Sequence, residues 1–187
     1  MKRVPLGSLL AFVVPLAAGA QQPAANPMVQ TFRSFGTQYG GWLSAAFDSI
    51  PESKYSYKPT PVQLTVGYIA QHLESANYLL CAHWSGQTHA MTAKDSLADT
   101  VKAKWPKDTL VARLKASFAY CDAALAKVND ASLAESIPRI PASAGTAPRV
   151  RFLILYVTDL ADHYSQIANY MRLNGLTPPS ALPRPRP

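Results

Sequence analysis

The sequence lacks two features that would each indicate a class of protein. Its 18 lysines and arginines are scattered, with no basic cluster interleaved with aromatic residues. We therefore expect no nucleic-acid partner and attribute the positive charge to solubility. Beyond the first twenty residues, no stretch reaches the ~18 consecutive apolar residues typical of a membrane-spanning helix. We therefore expect no stable membrane anchor.

Residues 1–20 have the pattern of a secretory signal peptide. The basic pair Lys2-Arg3 precedes an apolar stretch from Leu9 to Leu16, and Ala18-Gly19-Ala20 supplies a small-x-small cleavage site. The segment is too short to remain as a membrane anchor. We expect cleavage before Gln21 and a periplasmic or secreted protein. Two of the seven net positive charges belong to this segment, so five remain after cleavage.

The two cysteines are of interest because disulfides form mainly outside the cytoplasm. Cys121 falls within an apolar stripe of its predicted helix, so its side chain should face the core. Cys81 projects roughly opposite the apolar face of its own helix. One side chain is then directed inward and the other outward, so we predict two free thiols.

The rest of the chain predicts an all-α fold, a four-helix bundle. Apolar residues recur every three or four positions in four segments, approximately 27–50, 65–84, 108–128 and 149–174. Proline-rich stretches separate the helices at 51–61 and 130–148, and a short helical turn is expected near 96–103. Almost no alternating strand pattern is present.

These segments define the predicted domain organisation. A linker at 21–26 follows the signal peptide, and the helical bundle domain occupies 27–178. Residues 179–187 are rich in proline and arginine and are predicted to form a disordered tail. No internal repeat is visible. A homodimer is compatible with the sequence.

Three side chains form a candidate metal site. Asp159 and His163 are four residues apart on the last predicted helix, so they share one face. Helical projection places His163 within the apolar face and Asp159 at its edge, whereas Asp162 points outward. His72 faces the core from the second helix. Buried carboxylate and imidazole groups are costly unless they are paired or bound to a metal, although a core histidine can also be satisfied by ordinary hydrogen bonds.

Other histidines fit this site poorly. His83 shares the inward face of the second helix, but eleven residues separate it from His72, which is about 16 Å along a helix. His89 lies in a polar loop without a placed partner. We therefore predict His72, Asp159 and His163 as the metal ligands.

The chain resembles the DinB-like superfamily of four-helix-bundle proteins, which includes metal-dependent hydrolases and thiol S-transferases. Three segments carry the resemblance: Ile50–Pro61, Val66–Leu73 and Asp159–Arg172. Members commonly hold a divalent metal with one histidine on the second helix and two at i and i+4 on the fourth. His72 and His163 match two of these positions, and Asp159 stands where the family has its other histidine.

The resemblance implies a divalent metal cofactor. Because Asp159 replaces one of the family's histidines, the candidate metals are Zn, Ni, Fe and Mn. We rank an exported metal-dependent hydrolase of an unknown small-molecule substrate slightly above a thiol S-transferase, because the thiols used by such transferases are cytosolic. A non-catalytic bundle that binds a metal or small ligand remains the alternative. No catalytic residue is singled out, although Tyr156, Tyr164, Gln166 and Tyr170 are candidates for proton transfer or for support of the ligands. We expect the site to open through a mouth between loops 51–64 and 130–148.

Overall fold

The computed structural model describes residues 25–183, so the predicted signal peptide, most of the linker and the last four residues lie outside the described chain. Four long helices dominate the fold. They are α1 (Pro27–Ser49), α2 (Val66–Ser85), α4 (Lys107–Leu125) and α5 (Arg149–Leu173), and a one-turn helix, α3 (Asp99–Lys102), precedes α4. The predicted helical architecture is confirmed, although the structure contains a fifth, short helix and two strands besides the four long helices.

The two strands form a hairpin within the connection predicted to be irregular. Strands β1 (Ser136–Pro138) and β2 (Thr146–Pro148) pair antiparallel, with Ile137 opposite Ala147. Three residues per strand are too few for an alternating pattern to be read from the sequence, and each strand ends in a proline that cannot donate to the ladder. The hairpin therefore gave no sequence signal.

Two helix starts show how side chains fix the ends of the bundle. Thr65 caps α2, because its hydroxyl accepts a hydrogen bond from the backbone N–H of Tyr68 at 3.1 Å. The start of α1 is capped by a residue that is distant in the sequence. The Asp130 carboxylate accepts hydrogen bonds from the N–H groups of Met28 and Val29, both at 2.9 Å. Asn26 contributes through Oδ1, which accepts from the Asp130 N–H at 3.0 Å.

The directions of the helices follow from pairs of contacting residues. Helices α2 and α4 are parallel, since Asn77 bonds to Ser117 and Cys81 pairs with Cys121, both forty positions apart. Helices α2 and α5 are antiparallel, since His72 meets His163 and, eleven residues later on α2, His83 meets Phe152. Helix α1 packs against α4 and α5, and α2 packs against the same two helices. The α2–α5 seam and the α1–α4 seam therefore lie on opposite sides of the bundle.

A parallel α2–α4 pair requires the chain to return along the length of the bundle. Residues 86–106 make this crossover, and α3 within it packs against α2. The approach is closest at Gly67, where a Cβ atom would collide with the Ala103 carbonyl oxygen. A glycine is required here because any side chain would separate the crossover from α2.

The prediction of two free thiols is wrong, because Cys81 and Cys121 form a disulfide between α2 and α4. The error came from the assumed face of α2. The apolar residue Leu79 is exposed, whereas Asn77 and Cys81 are buried against α4. The Asn77 amide donates to the Ser117 hydroxyl at 2.8 Å. A helical projection based on hydropathy assigns every polar residue to the solvent side, including one that is buried with a hydrogen-bond partner. The predicted buried face of α2 was therefore rotated away from Asn77 and Cys81.

The C-terminal boundary lies slightly beyond the predicted domain. Gly175 has a positive φ of 73° and follows the end of α5. Pro179–Ala181, placed in the predicted disordered tail, form a 3-10 turn instead, and the Ser180 N–H donates to the Tyr164 hydroxyl at 2.8 Å. Within residues 25–183, no helix is long and apolar enough to cross a membrane.

Candidate metal centre

His72, Asp159 and His163 converge at the α2–α5 seam. The Asp159 Oδ1 atom lies 3.6 Å from Nε2 of His72 and 3.5 Å from Nε2 of His163. The two imidazole rings are 4.7 Å apart between centroids. The structure therefore brings together the three residues that the sequence selected, and as a group they could hold a metal ion.

The two separations between Asp159 and the imidazole nitrogens suit ligands of a common ion better than direct hydrogen bonds. A normal N–H···O bond spans about 2.7–3.2 Å, which is shorter than either separation. Ligand atoms about 2.0–2.2 Å from a tetrahedral zinc ion lie roughly 3.4 Å from one another. Two imidazoles and one carboxylate also match the donor preferences of first-row transition metals. The residues present therefore fit a divalent metal.

The site is buried on one side and open on the other. The side chain of His163 is 8% exposed, whereas His72 is 37% exposed and Asp159 is 27% exposed. His163 Nδ1 is buried without a hydrogen-bond partner in the described chain. Metal-bound histidines usually donate their second ring N–H to a neighbour, and no such acceptor meets His163 Nδ1 within residues 25–183.

The three groups also influence one another electrostatically. The Asp159 carboxylate raises the pKa of His72 above its ordinary value, although partial burial acts in the opposite direction. Burial would raise the pKa of Asp159, but the neighbouring imidazoles outweigh it and hold that pKa well below its usual range. Asp159 is therefore an anion throughout the physiological range, which is the form that binds a cation.

Sequence reasoning missed the groups that surround His72 on α3. The Asp99 carboxylate contributes to the raised pKa of His72. With its amide oriented to satisfy both neighbours, Gln71 donates to Asp99 at 3.1 Å and accepts from the His72 backbone N–H at 3.3 Å. Lys102 is buried and lies 3.0 Å from Asp99. These contacts depend on the crossover, and no spacing within the sequence indicates them.

The prediction that loop 130–148 forms part of the mouth of the site is wrong. Loop 51–64 lies at the N-terminal end of α2, where Leu64 accepts a hydrogen bond from the Tyr170 hydroxyl at 3.1 Å. The hairpin lies at the other end, because His83 Nε2 is 2.7 Å from the Pro138 carbonyl oxygen. His83 is three turns from His72, about 16 Å along the helix. Loop 130–148 therefore does not line the candidate site.

The remaining histidines and the proposed auxiliary residues have other contacts. His89 stacks on Tyr78 at 3.6 Å between ring centroids. Gln166 donates to the Asp162 carboxylate at 2.8 Å, on the outer face of α5. The Tyr164 and Tyr170 hydroxyls bond to backbone groups outside the site. These contacts are structural.

A cavity adjoins the stripe of α2 that carries His72. It has a volume of about 590 Å³ and lies among the N-terminal turn of α2, the start of loop 51–64 and the end of the crossover. Thr65 and Tyr68 line it, and these residues share one face of α2 with His72. Trp105 and Thr100 close the other side.

A helical bundle with a long crossover and three candidate metal ligands on facing antiparallel helices defines the class of protein. The chain belongs to the DinB superfamily, whose family model matches residues 42–167, a range that includes all three candidate ligands. The resemblance noted from the sequence is thereby confirmed. A comparison with curated proteins gave no match.

Solved structures show the same fold. A DinB-like protein from Bacillus cereus ATCC 10987 is 19% identical, with a TM-score of 0.63 over 80% of this chain and 95% of its own. A conserved protein from Enterococcus faecalis is 17% identical, with a TM-score of 0.59 over 78% and 96%. A mycothiol-dependent maleylpyruvate isomerase is 13% identical, with a TM-score of 0.59 over 74% of this chain and 60% of its own.

Proposed function

We propose that the protein is an exported, metal-dependent hydrolase of a small molecule and that His72, Asp159 and His163 hold its divalent metal. The observation that carries the proposal is the approach of both imidazole Nε2 atoms to a single oxygen of Asp159. Three protein ligands leave at least one coordination position for water or substrate. The chemistry that a divalent metal supplies at such a site is Lewis-acid activation of water and of a carbonyl or phosphoryl oxygen.

The protein's own residues would have two roles in this reaction. Asp159 supplies the only negative charge among the three ligands, so the loaded site keeps a net positive charge that attracts an electron-rich substrate group. The adjoining cavity, with Tyr68 and Trp105 in its walls, has the size of a small-molecule site. A substrate bound there would lie about one helical turn from His72.

The disulfide supports export. Cys81 and Cys121 are paired across α2 and α4, and structural disulfides are rare in reducing cytosol. The leader pattern in residues 1–20 points to the same compartment. Export also favours hydrolysis over thiol transfer, because hydrolysis requires only water as the second reactant.

Thiol S-transfer is the second candidate. The observation in its favour is the shared fold with a mycothiol-dependent maleylpyruvate isomerase, whose name states a dependence on a low-molecular-weight thiol. A soft thiolate is a suitable fourth ligand for zinc or iron. A non-catalytic metal-binding bundle is the third candidate, and it requires the same three ligands without turnover.

Two measurements separate these candidates. Elemental analysis of protein isolated from its native host, without added metal, should show about one equivalent of a divalent transition metal, and His163→Ala should lose it. Loaded protein is then assayed with ester, amide and phosphoester substrates, and with an electrophile plus a thiol, using His163→Ala as the blank. Hydrolysis above the blank supports the proposal, and thiol-dependent turnover alone supports the transferase. Bound metal without turnover indicates the binding bundle, and a metal-free protein rejects all three.

A further inference from the structure

A second cavity lies on the side of the bundle opposite the candidate metal centre. It is a groove of about 680 Å³ between α1 and α4. Gly36, Gly40 and Gly41 form its α1 side, and Phe118 and Ala119 form part of its α4 side. Small-molecule sites commonly have volumes of about 300–1,000 Å³. The volume alone does not indicate a ligand, but the groups around the groove do.

The most informative of these groups is the Tyr156 hydroxyl. Tyr156 lies on α5, is only 2% exposed and still lines the groove. Its ring packs on Trp84, and its hydroxyl oxygen lies 3.1 Å from where a Cβ atom of Gly36 would stand. No residue between Ala25 and Pro183 forms a hydrogen bond with this hydroxyl. The hydroxyl oxygen is not itself sealed from solvent, so it remains accessible from the groove that Tyr156 lines.

The hydroxyl is suited to donate to a ligand. Burial raises the pKa of Tyr156, so the phenol keeps its proton at physiological pH. The absence of a side chain at Gly36 leaves room for the phenol to reach the groove between α5 and α1. A neutral hydroxyl at the base of an apolar groove would pair with a carbonyl, ether or similar acceptor atom.

Two positively charged side chains line the groove, and they differ in how firmly a carboxylate pairs with them. Arg33 forms a bidentate pair with Asp122, with N···O distances of 2.6 and 2.7 Å. Lys115 pairs with Asp48 at 2.7 Å, and both of these side chains are about half exposed. An exposed lysine–carboxylate pair contributes little stability. Lys115 can therefore exchange its partner for an anionic group of a ligand at low cost.

We propose that the α1–α4 groove binds a small, largely apolar molecule that carries one anionic group, held by Lys115, and one hydrogen-bond acceptor, held by the Tyr156 hydroxyl. Gly41 leaves the α1 backbone open to the ligand, because a Cβ atom there meets nothing within 4 Å, whereas the Tyr156 and Phe118 side chains already occupy the space above Gly36 and Gly40. The groove is separate from the candidate metal centre, so this proposal does not depend on the proposed function.

The test uses two fluorescent probes that differ in charge. Anilinonaphthalene sulfonate is apolar and anionic, and N-phenyl-1-naphthylamine lacks the sulfonate. The wild-type protein should bind both saturably, and decanoate should displace them. Lys115→Gln should weaken binding of the anionic probe about tenfold, the loss of one charged contact, and leave the neutral probe nearly unchanged.

Gly41→Phe is the blocking variant, because a Cβ atom at Gly41 meets nothing within 4 Å and the added ring would occupy the groove. It should abolish binding of both probes while the circular dichroism spectrum remains that of the wild type. Gln30→Phe adds the same ring at an exposed position of α1 outside the groove and should bind as the wild type does, as should His163→Ala. Unchanged binding by folded Gly41→Phe would overturn the proposal. So would equal effects of Lys115→Gln on both probes, or the absence of saturable binding.

Discussion

His83 packs edge-on against Phe152, with ring centroids 4.6 Å apart. His72 lies eleven residues before His83 on α2, and His163 lies eleven residues after Phe152 on α5. These two histidines also pack against each other. Eleven residues complete about three helical turns, so both pairs lie along one face of each helix. The antiparallel register that seats His83 on Phe152 therefore also determines which residues face each other at the candidate metal centre.

The first prediction concerns the metal ligands. His163→Ala should abolish binding of zinc, because two ligands rarely hold this ion tightly, whereas Asp162→Ala should leave binding nearly intact. Asp162 is exposed and, within residues 25–183, bonds only to Gln166 at 2.8 Å, although it neighbours His163 in sequence. Isothermal titration of the metal-stripped variants measures both effects. Equal losses from the two substitutions would contradict the assigned site.

The second prediction is a pH dependence of metal affinity. A protonated imidazole cannot bind a metal, and the pKa of His72 in the metal-free protein is raised by Asp159. As the pH falls through that pKa, which lies above the ordinary histidine value of about 6.5, zinc affinity should begin to decrease about tenfold per pH unit. Asp159 does not contribute, because its pKa is depressed and it stays ionised.

Asp159→Asn tests the origin of this shift. The amide keeps the size of the side chain but removes its charge, so the raised pKa of His72 should return toward the ordinary value. Titration of the imidazole protons by NMR in the metal-free variant checks this directly. If the His72 pKa is the same in both proteins, Asp159 is not its electrostatic partner.

The candidate site could be predicted from the sequence because its signals are local. Asp159 and His163 are one turn apart on a strongly periodic helix, and His72 lies on the inward side of another. The surroundings of the site could not be predicted in the same way. Asp99 influences His72, and Lys102 pairs with Asp99, only because the crossover returns along α2, and a helical projection carries no information about that path.

The errors in the fold have a related cause. Glu74 and Asn77 are buried on α2 because Arg113 and Ser117 of α4 satisfy them, with donor–acceptor distances of 2.7 and 2.8 Å. A hydropathy pattern assigns such residues to solvent. The prediction from this pattern therefore directed Cys81 away from Cys121. Buried polar pairs between helices are a tertiary property, so they become visible only after the parallel arrangement of α2 and α4 is known.

The third prediction concerns the disulfide. Replacing Cys81 and Cys121 with serine together should lower the free energy of unfolding by about 2–4 kcal/mol, because the crosslink closes a loop over a sequence separation of 40 residues in the unfolded chain. Urea denaturation followed by circular dichroism measures the loss. The same decrease should follow from adding a reductant to the wild-type protein, whereas reductant should not affect the double variant. An unchanged wild-type midpoint under reducing conditions would contradict a stabilising disulfide.

The fourth prediction tests the capping of α1. Asp130→Ala removes the acceptor for the Met28 and Val29 N–H groups and should cost about 1 kcal/mol of unfolding free energy. Asp130→Asn keeps an oxygen acceptor and should recover part of the loss. Asp162→Ala, at an exposed position within α5, is the matched control and should change stability by less than about 0.5 kcal/mol. A loss in the control as large as that in Asp130→Ala would contradict a specific capping role.

The fifth prediction concerns processing and compartment. Protein recovered from its native host should begin near Gln21, because the small-x-small pattern Ala18-Gly19-Ala20 precedes that residue. Intact-mass analysis after cell fractionation should find this shortened chain outside the cytoplasm, with a mass lower by two hydrogen atoms than that of the fully reduced form. Reduction and alkylation should then add two alkyl groups, one for each of the two cysteines. Ala20→Arg at the cleavage position is the control, and it should leave a longer, uncleaved chain. A wild-type chain that retains Lys2 and Arg3, with alkylatable thiols before any reduction, would contradict both export and the oxidised state that the α2–α4 crosslink requires.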